Sequence, residues 1–221
     1  MTFAKAGYSA LATDYDGTLA PAGRVDAGTL AALRRLRAAG WKLVLVTGRN
    51  LDDVERVFPE LWVCDRVVAE NGALLAGPKG RVRALGPSPP NALLEALHRR
   101  SVRFSRGRVV VHARIEQEPA VRAAIADSGV EVELSSNKGA LMLLPAGVDK
   151  AAGLHAALAE LGVEPAAAVG AGDAENDLPF LAVCGLAVAC GEALPEVRAA
   201  AARYAPSVRS LIDELLPRAA S

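Results

Sequence analysis

Thr13-Asp14-Tyr15-Asp16-Gly17-Thr18-Leu19 is the stretch from which the reading of this chain starts. It follows the apolar run Ala10-Leu11-Ala12, which predicts a buried strand emptying into a loop. Two carboxylates two residues apart repel each other, and one pKa rises unless a positive charge sits between them. A divalent cation removes that cost, and oxygen-rich loops are where Mg2+ is usually held. Asp and Gly also favour plain solvated turns, so the pair alone leaves both readings open.

Composition narrows the choice. The 221 residues are 52% hydrophobic and poor in aromatics, which fits one substantial core, or a core with a small insert. Lys plus Arg and Asp plus Glu are each 25, so the formal charge is zero. That balance argues against a general nucleic-acid binder or a membrane-surface protein. No run reaches the roughly 18 apolar residues of a membrane span, and the start lacks a signal peptide's layout. Cys64, Cys184 and Cys190 form no CxxC pair, and read as buried small hydrophobes in a reducing cytoplasm.

Outward from the opening loop, Asp26 is placed to cap a helix through Ala39, with Leu30, Leu33 and Leu36 on one face. Trp41 to Val46 predicts a second buried strand, ending in Thr47-Gly48-Arg49. Asn50 is expected to cap a short helix carrying Val54, Val57 and Phe58, and a third strand over Arg66 to Ala69 runs into Glu70-Asn71-Gly72. This alternation marks a parallel sheet wrapped by helices, with ligands beyond the carboxyl ends of its strands. A hairpin is expected between Ala73 and Leu85, across Gly77-Pro78-Lys79-Gly80.

Pro87-Ser88-Pro89-Pro90 then breaks the rhythm. Helix, strand, strand follows twice: helices over Asn91 to Arg100 and Pro119 to Asp127, strands near Val102–Ser105, Arg108–Ala113, Glu131–Ser135 and Ala140–Leu144. We expect residues 88–146 to form a small α+β domain inserted into a core made of 1–87 and 147–221. The core rhythm resumes at Asp149, which caps a helix with Lys150 in its first turn. A small-residue strand, Ala166 to Val169, opens into Gly170-Ala171-Gly172-Asp173-Ala174-Glu175-Asn176-Asp177. A helix to Ala182, a strand over Leu186–Ala189 and terminal helices at Glu192–Ala202 and Val208–Leu216 complete it. The fold class is thus α/β, a Rossmann-like doubly wound sheet with an inserted α+β cap.

Four elements line up in chain order: Asp14-Tyr15-Asp16-Gly17-Thr18-Leu19, Val46-Thr47-Gly48-Arg49, Gly147-Val148-Asp149-Lys150 and Gly172-Asp173-Ala174-Glu175-Asn176-Asp177. Together they resemble the haloacid dehalogenase-like (HAD) phosphatases, and most of all the Cof-type branch, whose cap lies between the second and third motifs. Glu70-Asn71-Gly72-Ala73 also looks like a segment of that branch. The resemblance spans the core and is weak in the cap.

The resemblance implies a Mg2+-dependent phosphatase of small phosphorylated metabolites, such as a sugar phosphate or phosphoglycolate, acting in the cytoplasm. Asp14 is the implied nucleophile, forming an aspartyl-phosphate. Asp16 is the implied acid and base. Mg2+ is then held by Asp14, the Asp16 carbonyl and Asp173, with Asn176 and Asp177 completing the shell, or Asp177 paired with Lys150. Thr47, Gly48 and Lys150 would take the phosphoryl oxygens. Arg49 is a candidate for substrate or phosphate, as is Asn176 for substrate. Each has an ordinary alternative: a strand-end threonine, an exposed lysine, helix-capping aspartates, a solvated arginine. Arg106, within the basic turn Arg103–Arg108, and Lys138 are cap positions that either face the substrate or sit on solvated hairpins. His98, His112 and His155 show no metal-ligand spacing and read as structural or exposed. Two other functions stay open: a phosphomutase of the same superfamily, and a non-catalytic phospho-receiver or regulatory module. The oligomeric state is not legible.

Overall fold

A computed structural model describes residues 7–78, 80–137 and 139–216. Lys138 therefore lies outside the described residues, as does Lys79 of the expected hairpin. The chain folds around an eight-stranded sheet. In chain order its first strands are β1 (Ala10–Asp14), β2 (Lys42–Val46), β3 (Arg66–Ala69), β4 (Leu74–Gly77) and β5 (Arg81–Ala84). A four-stranded sheet follows: β6 (Phe104–Arg106), β7 (Val111–Arg114), β8 (Glu133–Asn137) and β9 (Ala140–Leu144). The large sheet is completed by β10 (Ala168–Gly172), β11 (Leu186–Cys190) and β12 (Arg203–Ala205).

The large sheet runs β12-β11-β10-β1-β2-β3-β4-β5, and the small one β6-β7-β9-β8. Strands β12 through β3 are parallel, whereas the β4–β5 hairpin adds antiparallel strands at one edge. β1 sits near the middle, flanked by β10 and β2, so its end opens at the centre of the sheet.

Side-chain alternation divides the core into two layers. Leu43 and Leu45 point to the face covered by α1 (Ala27–Ala38), α2 (Leu51–Val57) and, after the intervening elements, the C-terminal helix over Val208–Leu215. Val44 and Val46 point to the opposite face, covered by Leu154 and Leu158 of the helix over Lys150–Leu161, Phe180 and Val197. Helices on both faces are what a buried parallel sheet requires. Asp26 caps α1 as expected, its Oδ1 accepting from Gly28 N at 2.8 Å and Thr29 N at 3.0 Å. Among the described residues no helix is long and apolar enough to cross a membrane.

In the small sheet, Val111, Ala113, Leu141 and Leu143 face α3 (Asn91–Arg99) and α4 (Glu118–Ser128). The opposite face turns Val110, Met142 and Leu144 onto Ala73 and Val148 of the core. The remaining helices are α5 (Lys150–Leu161), α6 (Leu178–Val183), α7 (Pro195–Ala200) and α8 (Val208–Leu215).

Three expectations change. The helix expected over Glu192–Ala202 is only α7, beginning at Pro195, a residue suited to a first helical position. Arg203-Tyr204-Ala205 instead forms the edge strand β12 against Val188–Cys190, too short to show a period in the sequence. The small-sheet strands expected at Val102–Ser105 and Arg108–Ala113 are shorter and shifted, because Gly107 to Val110 form a turn held from outside the sheet.

Candidate active site

The chemistry-bearing residues gather at one end of the large sheet. Asp14 is the last residue of β1, Thr47 follows β2, Asp173 follows β10 and Lys150 opens α5. Parallel register places these strand ends side by side, with Asp14 level with Val46 and Thr13 with Ala171. The glycine-rich β10 keeps its end uncrowded: a methyl on Gly172 would lie 2.7–2.9 Å from the Asp177 side chain.

Lys150 is the hub. Its ammonium donates to Asp14 Oδ1 and to Asp177 Oδ1, both at 2.6 Å, although Lys150 is only 1% exposed. Asp177 turns its other oxygen to the backbone, accepting from Asp173 N at 2.8 Å and Ala174 N at 3.0 Å. Asp173 accepts from the Thr18 hydroxyl at 2.6 Å. One carboxylate oxygen from each of Asp14, Asp173 and Asp177 lies within 4.8 Å of the others. Among the described residues, three buried carboxylates face one buried ammonium, an excess of negative charge.

That excess registers in the pKa values. Burial, reinforced by the charge of Asp177 and offset by Lys150, pushes Asp14 up to about 8. Burial works against the Lys150 charge, but Asp14 and Asp177 outweigh it and hold the ammonium above its usual range. Lys150 thus stays charged. The donor set fits a hard divalent cation, which prefers carboxylate oxygens and would balance the surplus. Asn176 donates from Nδ2 to Asn71 Oδ1 at 3.2 Å, while its own buried Oδ1 has no partner among the described residues.

Asp16 is placed differently. Its oxygens accept from Arg49 Nε at 2.8 Å and the Arg49 terminal nitrogen at 2.7 Å. Arg49 also reaches Asp53 at 2.6 Å and lies 5.3 Å from the Tyr15 ring centre. Hydrogen bonding to Asp16 comes first among the causes that raise the guanidinium's pKa. Thr47 is fully buried, and its hydroxyl oxygen accepts from Arg49 N at 3.1 Å. Gly48, partly exposed, leaves its neighbourhood open up to the Met142 sulfur of the small sheet.

A cleft of about 760 Å3 reaches Asp16, Thr18 and Asp173 and is walled by Glu192, Leu194, Arg198 and Tyr204. Arg106 lines a separate cavity of about 550 Å3 with Asn50, Asp52, Asp53, Arg56 and Glu70, away from the carboxylate cluster. His112 is partly buried and pairs through Nε2 with Asn50 Oδ1 at 3.1 Å, so the Asn50 side chain joins the small sheet to the start of α2 and does not make the expected cap. Burial lowers its pKa. The three cysteines are free, and burial pushes their thiols up to about 12.

Sequence reasoning missed two contributors. Glu70 stood in a quoted motif without a role, and Thr18 was not recognised as the partner of Asp173. A carboxylate followed by Asn-Gly at an expected strand end was the available signal for Glu70.

The carboxylate cluster and the helix-borne lysine lie beyond the carboxyl ends of a doubly wound sheet, where such folds bind ligands. The family model for haloacid dehalogenase-like hydrolases matches residues 11–97 and 107–210, and the chain belongs to that family, as a Cof-type member. It is 33% identical to a phosphoglycolate phosphatase of Methanothermobacter thermautotrophicus over 86% of this chain and 88% of that one. It is 30% identical to a phosphoglycolate phosphatase of Aeropyrum pernix, over 91% and 90%. Among solved structures, a haloacid dehalogenase-like hydrolase from Bacteroides thetaiotaomicron superposes with a TM-score of 0.81 at 17% identity, covering 95% of this chain and all of that one. A subclass IIB sugar phosphatase of the superfamily gives 0.74 at 17% identity, over 93% and 96%. These last two likenesses establish the fold.

Proposed function

We infer that the chain is a Mg2+-dependent phosphatase of small phosphorylated metabolites, with phosphoglycolate as the first substrate to test. The observation that carries this reading is the buried cluster of Asp14, Asp173 and Asp177 around Lys150. The phosphoglycolate phosphatases at about 30% identity supply the substrate class.

In the first step an Asp14 oxygen attacks phosphorus, the bond to the leaving oxygen breaks, and a proton from the Asp16 carboxyl group passes to the departing alkoxide. In the second, water attacks the aspartyl-phosphate, its proton goes to Asp16, and Asp14 leaves as a free carboxylate. Arg49 fixes the Asp16 rotamer through its two bonds to the carboxylate. Lys150 neutralises charge on Asp14 and the phosphoryl group, and Thr47 and Gly48 donate to phosphoryl oxygens. Asp14 and Asp173, with the Asp16 carbonyl, would hold Mg2+, and Asp177 would orient that shell through its bonds to Asp173 N and Ala174 N. When bound, the cation supplies charge neutralisation for the nucleophile and phosphate. The domain formed by 88–146 would serve as the cap that shuts out bulk water.

The test is hydrolysis of phosphoglycolate and p-nitrophenyl phosphate, followed as release of inorganic phosphate with and without Mg2+. Turnover that needs Mg2+ and vanishes in Asp14→Asn is expected. An undiminished rate in that variant overturns the reading, as does an isomerised ester without free phosphate, or a stable phosphoprotein that never turns over.

A further inference from the structure

Glu70 is 1% exposed, yet carries a carboxylate into the junction between the two sheets. Its oxygens accept three backbone N–H bonds from the turn after β6: Arg108 at 2.9 Å, Val109 at 2.8 Å and Val110 at 2.9 Å. Three converging amides form an anion-binding nest. The turn is shaped for it, since Gly107 N bonds Val110 O at 2.8 Å, and a methyl on Gly107 would lie 2.5 Å from a Glu70 oxygen. Burying a charge is costly unless it is hydrogen-bonded, and these donors all come from the small sheet.

The backbone around Glu70 is equally constrained. Glu70 and Asn71 have φ of +51° and +53°, a left-handed conformation that side-chain-bearing residues hold only when their surroundings enforce it. The enforcing bonds come from the phosphate loop: Glu70 N donates to Arg49 O at 2.9 Å, and Asn71 N to Thr47 O at 3.0 Å. Asn71 Oδ1 accepts from Asn176. Gly72 packs so closely on the Asp149 carbonyl, just before Lys150, that any side chain there would collide with it. One tripeptide therefore touches the loops that carry Thr47, Lys150 and Asn176, and grips the small sheet as well.

We propose that Glu70 is a positioning residue: docking of the 107–110 turn on its carboxylate sets the loop bearing Thr47 and Gly48, so that phosphate binds well only when the small sheet is seated. The proposal rests on the reading of the carboxylate cluster as a phosphatase centre. When the small sheet is lifted, Glu70 loses three donors, and the left-handed turn keeps only its bonds to Arg49 and Thr47. When it is seated, the Asn71 and Arg49 contacts hold the phosphate loop in one geometry.

The experiment compares the wild-type chain with Glu70→Ala, Glu70→Gln and Gly107→Ala. Amide hydrogen exchange at Arg108, Val109 and Val110 is measured without substrate, and kcat, KM and the inhibition constant of inorganic phosphate with it. Glu70→Ala and Gly107→Ala are expected to speed exchange at those amides by about tenfold or more, the scale of one bond to a charged group, and to weaken phosphate inhibition by a similar factor. Glu70→Gln, which keeps one acceptor oxygen, should recover part of both. The two alanine changes together should cost little more than either alone. Unchanged exchange in Gly107→Ala overturns the proposal, and so does faster exchange with phosphate inhibition and kcat unaltered, the signature of a purely structural tie. Failure of the phosphatase reading shows separately, as turnover retained by Asp14→Asn.

Discussion

Lys150 is buried between two carboxylates, and its charge draws the Asp14 pKa down against the effect of burial. A lone buried ammonium or carboxylate is far costlier than a paired one. Replacing Lys150 by Met would leave Asp14 and Asp177 facing each other with nothing between them. We expect Lys150→Met to lower stability by about 3–5 kcal/mol, read by urea or thermal unfolding, with part of the loss recovered by Mg2+. Arg49 illustrates a different economy. Its guanidinium forks onto both oxygens of Asp16, a geometry that a lysine cannot reproduce. Arg49→Lys should leave the fold intact and lower kcat on the order of 10²-fold through misplacement of Asp16, with Asp16→Asn losing roughly 10²–10⁴-fold. Equal kcat in wild type and Arg49→Lys would show that Asp16 is positioned without it.

At the scale of elements, the site depends on how closely α5 lies on the turn after β3. Gly153 makes this approach possible: a methyl there would run into Val68 and sit 2.8 Å from the Gly72 Cα. Gly153→Ala should therefore cost about 1–3 kcal/mol by overpacking and shift the first turn of α5, which carries Lys150. A drop in both Tm and kcat checks it, whereas a variant as stable and active as wild type would mean that α5 adapts freely. Legibility differed by element for the same reason. β2 and β3 carry continuous apolar runs and announce themselves. β12 is three residues, Arg203-Tyr204-Ala205, and becomes a strand only because β11 offers it an edge.

For the whole molecule, the proposed metal site would make stability depend jointly on pH and metal. Asp14 stands near 8 in the metal-free fold against an ordinary 3.8, so between those values the folded chain holds a proton that the unfolded chain has released. The metal-free protein therefore loses stability as pH rises through that window. Mg2+ held by Asp14 as proposed would compete with the same proton, so the rise in Tm on adding Mg2+ should grow between about pH 6 and about pH 8. An increment that shrinks with rising pH, or does not change, would place the cation elsewhere.

The sequence by itself determined the doubly wound core, the strand ends that carry Asp14, Thr47 and Asp173, and the helix that starts with Lys150. Those features are local: an apolar run, a cap and a loop lie within a few residues of one another, and propensity and periodicity act over that range. Only the tertiary structure decided that Lys150 pairs with Asp14 from 136 positions away, that Arg49 takes Asp16 from 33, and that Glu70 is met by a turn 38–40 residues on. The opening carboxylates presented an electrostatic problem with no solution in their own neighbourhood. Its solution is two cations from elsewhere in the chain, Arg49 on Asp16 and Lys150 on Asp14, because charge pairing is governed by distance in space and not along the chain.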